Sequence, residues 1–299
     1  MTIKFNFYDI YGFALPGFLL LAVLWLPFGL IDNRWPDAEF SSALVGVILA
    51  YIAGHVLQQV AGQAIPSSFL ENERFPSTVF LDKDDNTFSS EFKQRLADQI
   101  HKVFQLDVDL DLPKEAPVEK RKGVDRKRND AFFLCRSALI KSRTAIYPEQ
   151  FEGLYALMRG LCAAFGIAVV YYLGWASSGL LHRLVPLTVG SWQWSGPAVL
   201  AGILIASFAL VNAKRFKNAK SVMIASLMLA TLAAGYYLGL SSVKLSEHRA
   251  QLIAAAVLSF FAAERCYAGY KRFAEEFARA VYRDFSNYEK PAEHPRANP

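Results

Sequence analysis

Charged residues are absent from six long stretches of this sequence. Although 20% of the 299 residues are Asp, Glu, Lys or Arg, they are segregated into the segments between these stretches. A helix that crosses the hydrocarbon core of a bilayer needs about 20 apolar residues, with about 17–25 as the usual range. The sequence therefore predicts a polytopic membrane protein. The uncharged stretches are Ile10–Ile31, Ser41–Val60, Gly160–Trp175, Pro197–Val211, Val222–Leu240 and Ala250–Ala263.

The lengths of these stretches set the number of predicted spans. The first, second and fifth are long enough to cross a bilayer. The third becomes long enough because the apolar residues 154–158 precede it and Arg159 can snorkel. The fourth and sixth are short, so we predict an all-α transmembrane helical bundle with at least four spans and six as the best count. A soluble helical protein is the alternative, but Pro16 and Pro27 favour a membrane helix, in which proline is tolerated.

Residues that carry most enzyme chemistry are scarce. The three cysteines are an odd number without a pairing pattern, which favours reduced thiols over a disulfide framework. The five histidines are scattered along the chain, so no metal-binding spacing is present. No glycine-rich phosphate loop follows a strand pattern, and no aspartate lies within a predicted span. We therefore predict no enzyme activity, no cofactor and no metal site.

Lysine and arginine indicate which ends of the spans face the cytoplasm. The connection 212–221 carries four basic residues and no acidic one, whereas 32–40 and 176–196 carry one basic residue each. Short connections rich in Lys and Arg stay in the cytoplasm, so with six spans both termini and residues 61–156 lie inside. Four of the five tryptophans then fall at the outer interface, where aromatic residues are enriched. The predicted location is a bacterial inner membrane.

The charged segments divide the chain into four parts. In the largest, apolar residues at helical spacing after a capping serine predict a helix over Ser90–Phe104. A second helix is predicted from Arg128 onward, and a charged linker joins the two. The parts are the first two spans (1–60), a cytoplasmic helical domain (61–156), the remaining spans (157–263), and a cytoplasmic amphipathic helix with a disordered tail (264–299).

The predicted linker changes the sign of its charge along its length. It begins with three aspartates and ends with six basic residues within nine positions. Such a basic cluster could contact the phosphates of a nucleotide or of anionic lipid. The alternative is a solvated linker whose acidic half neutralises its basic half. The candidates for phosphate or ligand binding are Lys120, Arg121, Lys122, Arg126, Lys127 and Arg128, with Lys214, Arg215, Lys217 and Lys220 of the basic connection.

Small residues recur every four positions in three of the uncharged stretches. Residues of this size at this spacing let membrane helices approach and associate. Membrane helices are rich in alanine and glycine in any case, but three such motifs in one chain favour a compact bundle and a homo-oligomer. The positions are Gly160, Ala164 and Ala168; Ala198, Gly202 and Ala206; and Ser226, Ala230 and Ala234.

A polar stripe runs along the second stretch. His55, Gln59 and Gln63 are four residues apart, which places them on one face of a helix, and Gln58 lies beside them. Two interpretations remain open. In the first, these side chains form hydrogen bonds between membrane helices, which are worth about 0.6 kcal/mol on average. In the second, they line a water-filled path between the copies of an oligomer.

The N-terminal segment resembles a known group of membrane proteins. The sequences FYDIYGFALPGFLLL (7–21) and YIAGHVLQQ (51–59), followed by a cytoplasmic insertion, are similar to the membrane effectors of bacterial anti-phage defence systems, in particular the Hailong transmembrane effectors. The resemblance implies a homo-oligomeric channel that permeabilises the inner membrane and is inhibited by a single-stranded DNA oligomer bound on the cytoplasmic side. It rests on Asp9, Gly12, Pro16, Gly17, Gly54, His55 and Gln58.

The expected function is therefore a gated, oligomeric membrane effector of anti-phage defence. A nucleotide, a single-stranded DNA oligomer or a sensor protein would restrain the bundle in the lipid bilayer, and its release would open a conducting path. The alternative is a non-conducting membrane anchor whose cytoplasmic domain recruits a soluble partner. A channel needs the polar stripe to face a central axis, whereas an anchor needs only an exposed cytoplasmic patch.

Overall fold

The computed structural model describes residues 8–36, 40–65, 74–113, 117–142, 146–184, 219–240 and 245–288. Across these residues the regular elements are helices, so the predicted all-α class is confirmed. They are a π-helix at Asp9–Ala14, α1 (Leu15–Asp32), α2 (Phe40–Ala64), α3 (Pro76–Val79), α4 (Ser90–Phe104), α5 (Val118–Lys141), α6 (Ile146–Leu184), α7 (Ala219–Leu240) and α8 (Leu245–Ser286).

Four helical segments are long and apolar enough to cross a membrane. Their number equals the predicted minimum of four spans and supports the prediction of a membrane protein, but two assignments differ. The sixth stretch, predicted to be short, lies within Glu247–Ser286, whereas the fifth, predicted to be long enough, is not part of any of the four segments. Helix α7 contains a shorter apolar segment, Ile224–Gly239, and the predicted span Pro197–Val211 lies outside the described residues. The four segments are Asp9–Asp32, Ala43–Ala64, Ile146–Ser178 and Glu247–Ser286.

The chain divides into two compact units. The predicted boundary between residues 156 and 157 lies one residue from the structural boundary between Tyr155 and Ala156. The predicted boundary after residue 263 falls inside α8, which continues without a break. Unit 1 comprises Met1–Pro66 and Ala156–Tyr270, and unit 2 comprises Ser67–Tyr155 and Lys271–Pro299.

In unit 1, α1 and α2 cross with their backbones in contact. A Cβ atom at Gly17 would collide with the carbonyl oxygen of Ala50, and one at Gly54 would collide with the carbonyl oxygen of Phe13. A side chain at either glycine would push the two helices apart, so both positions need glycine. The two glycines lie on different helices, and no four-residue repeat along one helix could reveal them.

A second close crossing joins α6 and α7. A Cβ atom at Gly174 would collide with the carbonyl oxygen of Leu232, and one at Gly235 with that of Tyr171. Of the predicted small-residue motifs, Gly160, Ala164 and Ala168 are buried on α6, and on α7 Ala230 is buried while Ser226 and Ala234 are half-buried. The motif Ala198, Gly202 and Ala206 lies outside the described residues.

Pro27 in α1 releases a backbone carbonyl, and a tyrosine of α6 bonds to it. Proline has no N–H, so the carbonyl of Val23, four residues earlier, loses its helical donor. The Tyr172 hydroxyl donates to this carbonyl at 3.0 Å, and the Tyr171 hydroxyl donates to the adjacent carbonyl of Leu24 at 3.2 Å. Both tyrosines are buried in the core that α1 forms with α6. Neighbouring helices satisfy proline-freed groups in this way in membranes.

Unit 2 has its own apolar core, and α4 within it has the predicted bounds. The Ser89 hydroxyl accepts from the Phe92 N–H at 3.2 Å and caps the helix, and Ile100 is fully buried. Helix α5 begins at Val118 rather than near Arg128, so the prediction of a linker was wrong for these residues. The first turns of α5 show no apolar residues at helical spacing, because arginines occupy positions there that face the interior of the unit.

The backbone contact of α1 with α2 predicts that Gly54→Ala is destabilising. The added methyl group must displace the backbone of the π-helix at Phe13, just before α1, and overpacking of this kind typically costs about 1–3 kcal/mol. Gly62→Ala on the same helix is the matched control, because a Cβ atom there meets nothing within 4 Å. Unfolding by sodium dodecyl sulfate, followed by circular dichroism, measures both variants. Equal unfolding midpoints for both variants would contradict the crossing.

Candidate functional site

Gln58 connects three helical segments inside unit 1. Its Nε2 donates to the carbonyl oxygens of Gly12 and Ala156, both at 2.7 Å. Its Oε1 accepts from the Arg159 guanidinium at 3.0 and 2.8 Å. The buried amide therefore uses both donor hydrogens and its acceptor, and it joins the π-helix to α2 and α6. We call Gln58, Gly12, Ala156 and Arg159 the polar node.

Pro16 explains why Gly12 needs a donor from another helix. It follows Gly12 by four residues and has no N–H, so the Gly12 carbonyl lacks its α-helical donor. An unsatisfied carbonyl in hydrocarbon costs several kcal/mol, and Gln58 supplies the hydrogen bond. The π-helix occurs at this point, and single π-turns inside helices are frequent at functional sites.

Gly160 gives the Gln58 side chain the space it needs. A Cβ atom at this position would lie 2.8 Å from Gln58 Nε2 and 2.7 Å from Pro16 Cβ. The node also places the guanidinium of Arg159 within a predicted span, paired with a neutral amide oxygen. Charged side chains within membrane helices are expensive and usually functional.

The three residues of the predicted polar stripe are not part of the node. His55, Gln59 and Gln63 are exposed, although Gln59 directly follows the buried Gln58. Adjacent residues point about 100° apart around a helix. The His55 ring stacks on Phe13, with the ring centroids 3.8 Å apart. We call His55, Gln59 and Gln63 the polar face; the interhelical hydrogen bonds predicted for this segment belong to Gln58.

Two of the six basic candidates on α5 are buried inside unit 2. Arg128 is fully buried; its guanidinium donates to the Asp82 carboxylate at 2.5 Å and to backbone carbonyls that include that of Thr78 at 3.0 Å. Arg121 is also buried. Four of the candidates, Lys120, Lys122, Arg126 and Lys127, are exposed, whereas Lys214, Arg215, Lys217 and the side chain of Lys220 lie outside the described part of the chain.

Asp82 is the centre of a buried ion network. Its carboxylate accepts from Arg74 at 2.5 and 2.9 Å and from Arg128 at 2.5 Å. Arg74 also pairs with Asp125, at 2.6 and 2.8 Å. Burial alone lowers the pKa of the Arg74 guanidinium, but the hydrogen bonds that it donates to the two aspartates raise this pKa above its ordinary value. The two arginines and the two aspartates compensate one another's charge, so Arg74 and Arg128 are already paired within unit 2.

The described residues show few features of a nucleophilic or metal-binding site. Within them, no group of three or more His, Cys, Asp or Glu side chains is placed to hold a metal ion. Burial raises the pKa of the Cys135 thiol well above its ordinary value, which disfavours the reactive thiolate. Burial likewise lowers the pKa of Lys93, whose Nζ donates to the backbone carbonyls of Asp82 and Asp85 at 2.5 and 2.6 Å.

Comparisons with protein-family models, with curated proteins and with solved structures find no match to this chain. The function must therefore be inferred from the geometry of the chain itself. Two features of α2 are the strongest candidates: the polar node on its buried side and the polar face on its exposed side. The exposed basic residues of α5 are a third.

Replacing Gln58 with Leu should lower the free energy of unfolding by about 1–3 kcal/mol, because the Gly12 carbonyl and the Arg159 guanidinium lose a buried partner. Gln59→Leu is the matched control, since it makes the same change one residue away on the exposed side. Detergent-driven unfolding compares the two. A Gln59→Leu variant as unstable as Gln58→Leu would contradict the assignment of Gln58 to the node.

Breaking the Asp82 network should open unit 2, and the buried thiol of Cys135 can report this. Asp82→Asn leaves two buried arginines without their shared countercharge, and breaking such a pair costs about 3–5 kcal/mol. Alkylation of Cys135 by N-ethylmaleimide, read by mass spectrometry, should therefore accelerate by roughly a hundredfold or more. The exposed Asp130 provides the control variant Asp130→Asn, in which the rate should not change. Equal rates in both variants would contradict a supporting role for Asp82.

Proposed function

We propose that this protein is a homo-oligomeric channel of a bacterial inner membrane, in which the polar face of α2 lines a water-filled path between copies. The observation that supports this proposal is the exposure of His55, Gln59 and Gln63 within Ala43–Ala64, a segment long and apolar enough to span the bilayer. Earlier on the same side of α2, exposed residues such as Ile48 are apolar.

Lipid is an unfavourable neighbour for the polar face. Amide and imidazole groups that face hydrocarbon lose the hydrogen bonds they make with water. Packing the same face of several copies around an axis replaces lipid with water or with polar groups of another copy. Because four residues rise about 6 Å along a helix, the three side chains would line about 12 Å of the path.

The chemistry of the polar face also suits conduction. A permeating ion must bind well enough to enter a pore and weakly enough to leave it. The two glutamine amides offer dipoles to a hydrated ion without a fixed charge that would trap it. The polar node lies on the buried side of the same helix, so a displacement of the π-helix or of α6 that moves Gln58 also turns the polar face. This linkage provides a route for gating.

The similarity of residues 7–21 and 51–59 to defence effectors supports a biological setting. In this proposal the protein acts in anti-phage defence, and a cytoplasmic nucleotide, single-stranded DNA oligomer or sensor protein keeps the channel closed until infection. Opening would dissipate the membrane potential of the infected cell. The opposing hypothesis is a non-conducting anchor that recruits a soluble partner.

The double variant His55→Leu/Gln59→Leu should reduce ion flux through the protein by roughly tenfold or more, because an apolar constriction loses its water. Flux of potassium from liposomes that contain the purified protein measures this effect. The matched control is His248→Leu/Gln251→Leu on α8, which removes the same two residue types from Glu247–Ser286, another segment long and apolar enough to cross a membrane. His248 Nδ1 and Gln251 Oε1 lie 2.7 Å apart there. This control should conduct like the wild type.

A voltage-sensitive dye extends the test to bacteria that express the protein, with and without phage challenge. Depolarisation by the wild type and by the α8 control, but not by the α2 variant, is the expected result. Unchanged flux in the α2 variant would contradict the lining role of the polar face. No flux from liposomes and a normal potential during infection would favour the anchor.

A further inference from the structure

The exposed side of α5 changes from basic to apolar along the helix. Its first half presents basic side chains, and past Asp130 the same side presents large apolar ones. The opposite side holds buried residues such as Arg128 and Cys135. The exposed basic residues of the first half are Lys120, Lys122, Arg126 and Lys127, which outnumber the exposed acidic residues Glu119 and Asp130, and the exposed apolar residues of the second half are Phe133, Leu134 and Ile140.

The apolar half is poorly suited to contact with water. Phe133 is 55% exposed, and Leu134 and Ile140 are exposed as well. Helix α6 begins a few residues later with Ile146 and Tyr147, which are 64% and 65% exposed. We call these five residues the apolar patch. Groups of large exposed apolar side chains on a protein mark contact with a membrane or with another protein.

An ion pair places the apolar patch at the level of the lipid headgroups. Arg136 of α5 donates to both carboxylate oxygens of Glu152 in α6 at 2.6–3.1 Å. The segment after Glu152, from Leu154 to Trp175, is about 33 Å long at 1.5 Å per residue and matches a hydrocarbon core of about 30 Å. Glu152 therefore lies at the edge of the hydrocarbon, and Phe133 lies within one helical turn of its partner Arg136.

We propose that the exposed side of α5 lies on the bilayer surface and binds anionic phospholipid. The apolar patch inserts among the headgroups, and the ammonium and guanidinium groups of the four basic residues bind lipid phosphates. Basic residues beside a membrane span are each worth about a fivefold gain in binding to anionic lipid. This inference requires that α6 crosses the membrane, and it does not depend on conduction.

An anionic membrane surface suits both halves of the helix at once. A free nucleotide or oligonucleotide would neutralise Lys122, Arg126 and Lys127 but leave Phe133 and Leu134 in water. A soluble protein could cover the apolar patch, but it would compete with lipid that is already present at headgroup level. Interfacial helices combine basic and large apolar residues in this manner.

The test measures the surroundings of residue 133 in the full-length chain. A variant without its native cysteines carries Phe133→Cys, labelled with a small fluorophore, in vesicles of phosphatidylcholine with or without phosphatidylglycerol. The matched control carries the label at Gln94→Cys, on the exposed side of α4 in the same unit. Quenching by a nitroxide lipid reports contact with the membrane, and quenching by iodide reports contact with water.

The expected result is strong lipid quenching at position 133, weak lipid quenching at position 94, and a requirement for phosphatidylglycerol. Adding Lys122→Ser, Arg126→Ser and Lys127→Ser should weaken docking on the order of a hundredfold, from about fivefold per residue. Iodide access at position 133 equal to that at position 94 would overturn the proposal. So would protection in detergent without anionic lipid, which would indicate a second copy, or protection that needs an added single-stranded oligonucleotide.

Discussion

Unit 1 depends on one constraint: a proline in a membrane helix leaves a carbonyl that must find a donor elsewhere. Pro16 frees the carbonyl of Gly12 and Pro27 frees that of Val23, and neither can turn to water inside a bilayer. Gln58 of α2 bonds to the first and Tyr172 of α6 to the second, at 2.7 and 3.0 Å. Glycines at the crossings bring the backbones close enough for these bonds. The prolines, the glycines and the polar side chains of unit 1 therefore depend on one another.

The same constraint divides the polar side chains of α2 into one that bonds to other helices and several that are exposed. Gln58 lies on the buried side of α2, so the side chains one position later and one turn away are exposed. A pore could use these exposed side chains. Unit 2 shows a parallel division. Arg128 is bonded to Asp82 and to backbone carbonyls, whereas its neighbours Arg126 and Lys127 are exposed. In both units, the angle around the helix decides which of two neighbouring residues of similar type is buried and which is exposed.

The fold class follows from composition, because spans of this length need little beyond uninterrupted apolar residues. The bounds of α4 were also predictable, since the Ser89 cap and the apolar period are local signals. The start of α5 was not, because its first turns bury arginines, and Asp82, the partner of Arg128, is 46 residues away in sequence. The sequence could not predict that Gln58 is buried and Gln59 exposed, because the two side chains are identical and only Gln58 meets a carbonyl on another helix. Five residues that the sequence analysis singled out, Gly12, Pro16, Gly17, Gly54 and Gln58, lie at the crossing of α1 with α2 and at the polar node.

The two freed carbonyls also set an order for biosynthesis. The first helix reaches the bilayer before the residues that complete it, because Gln58 lies in the second helix and Tyr172 in the third long one. Until α6 has been made, the nascent α1 holds an incompletely bonded backbone in lipid, a state that water defects or the insertion machinery must tolerate. Unit 1 therefore cannot mature helix by helix from its N-terminus. Its first segment is completed only when α6, synthesised more than a hundred residues later, docks against it.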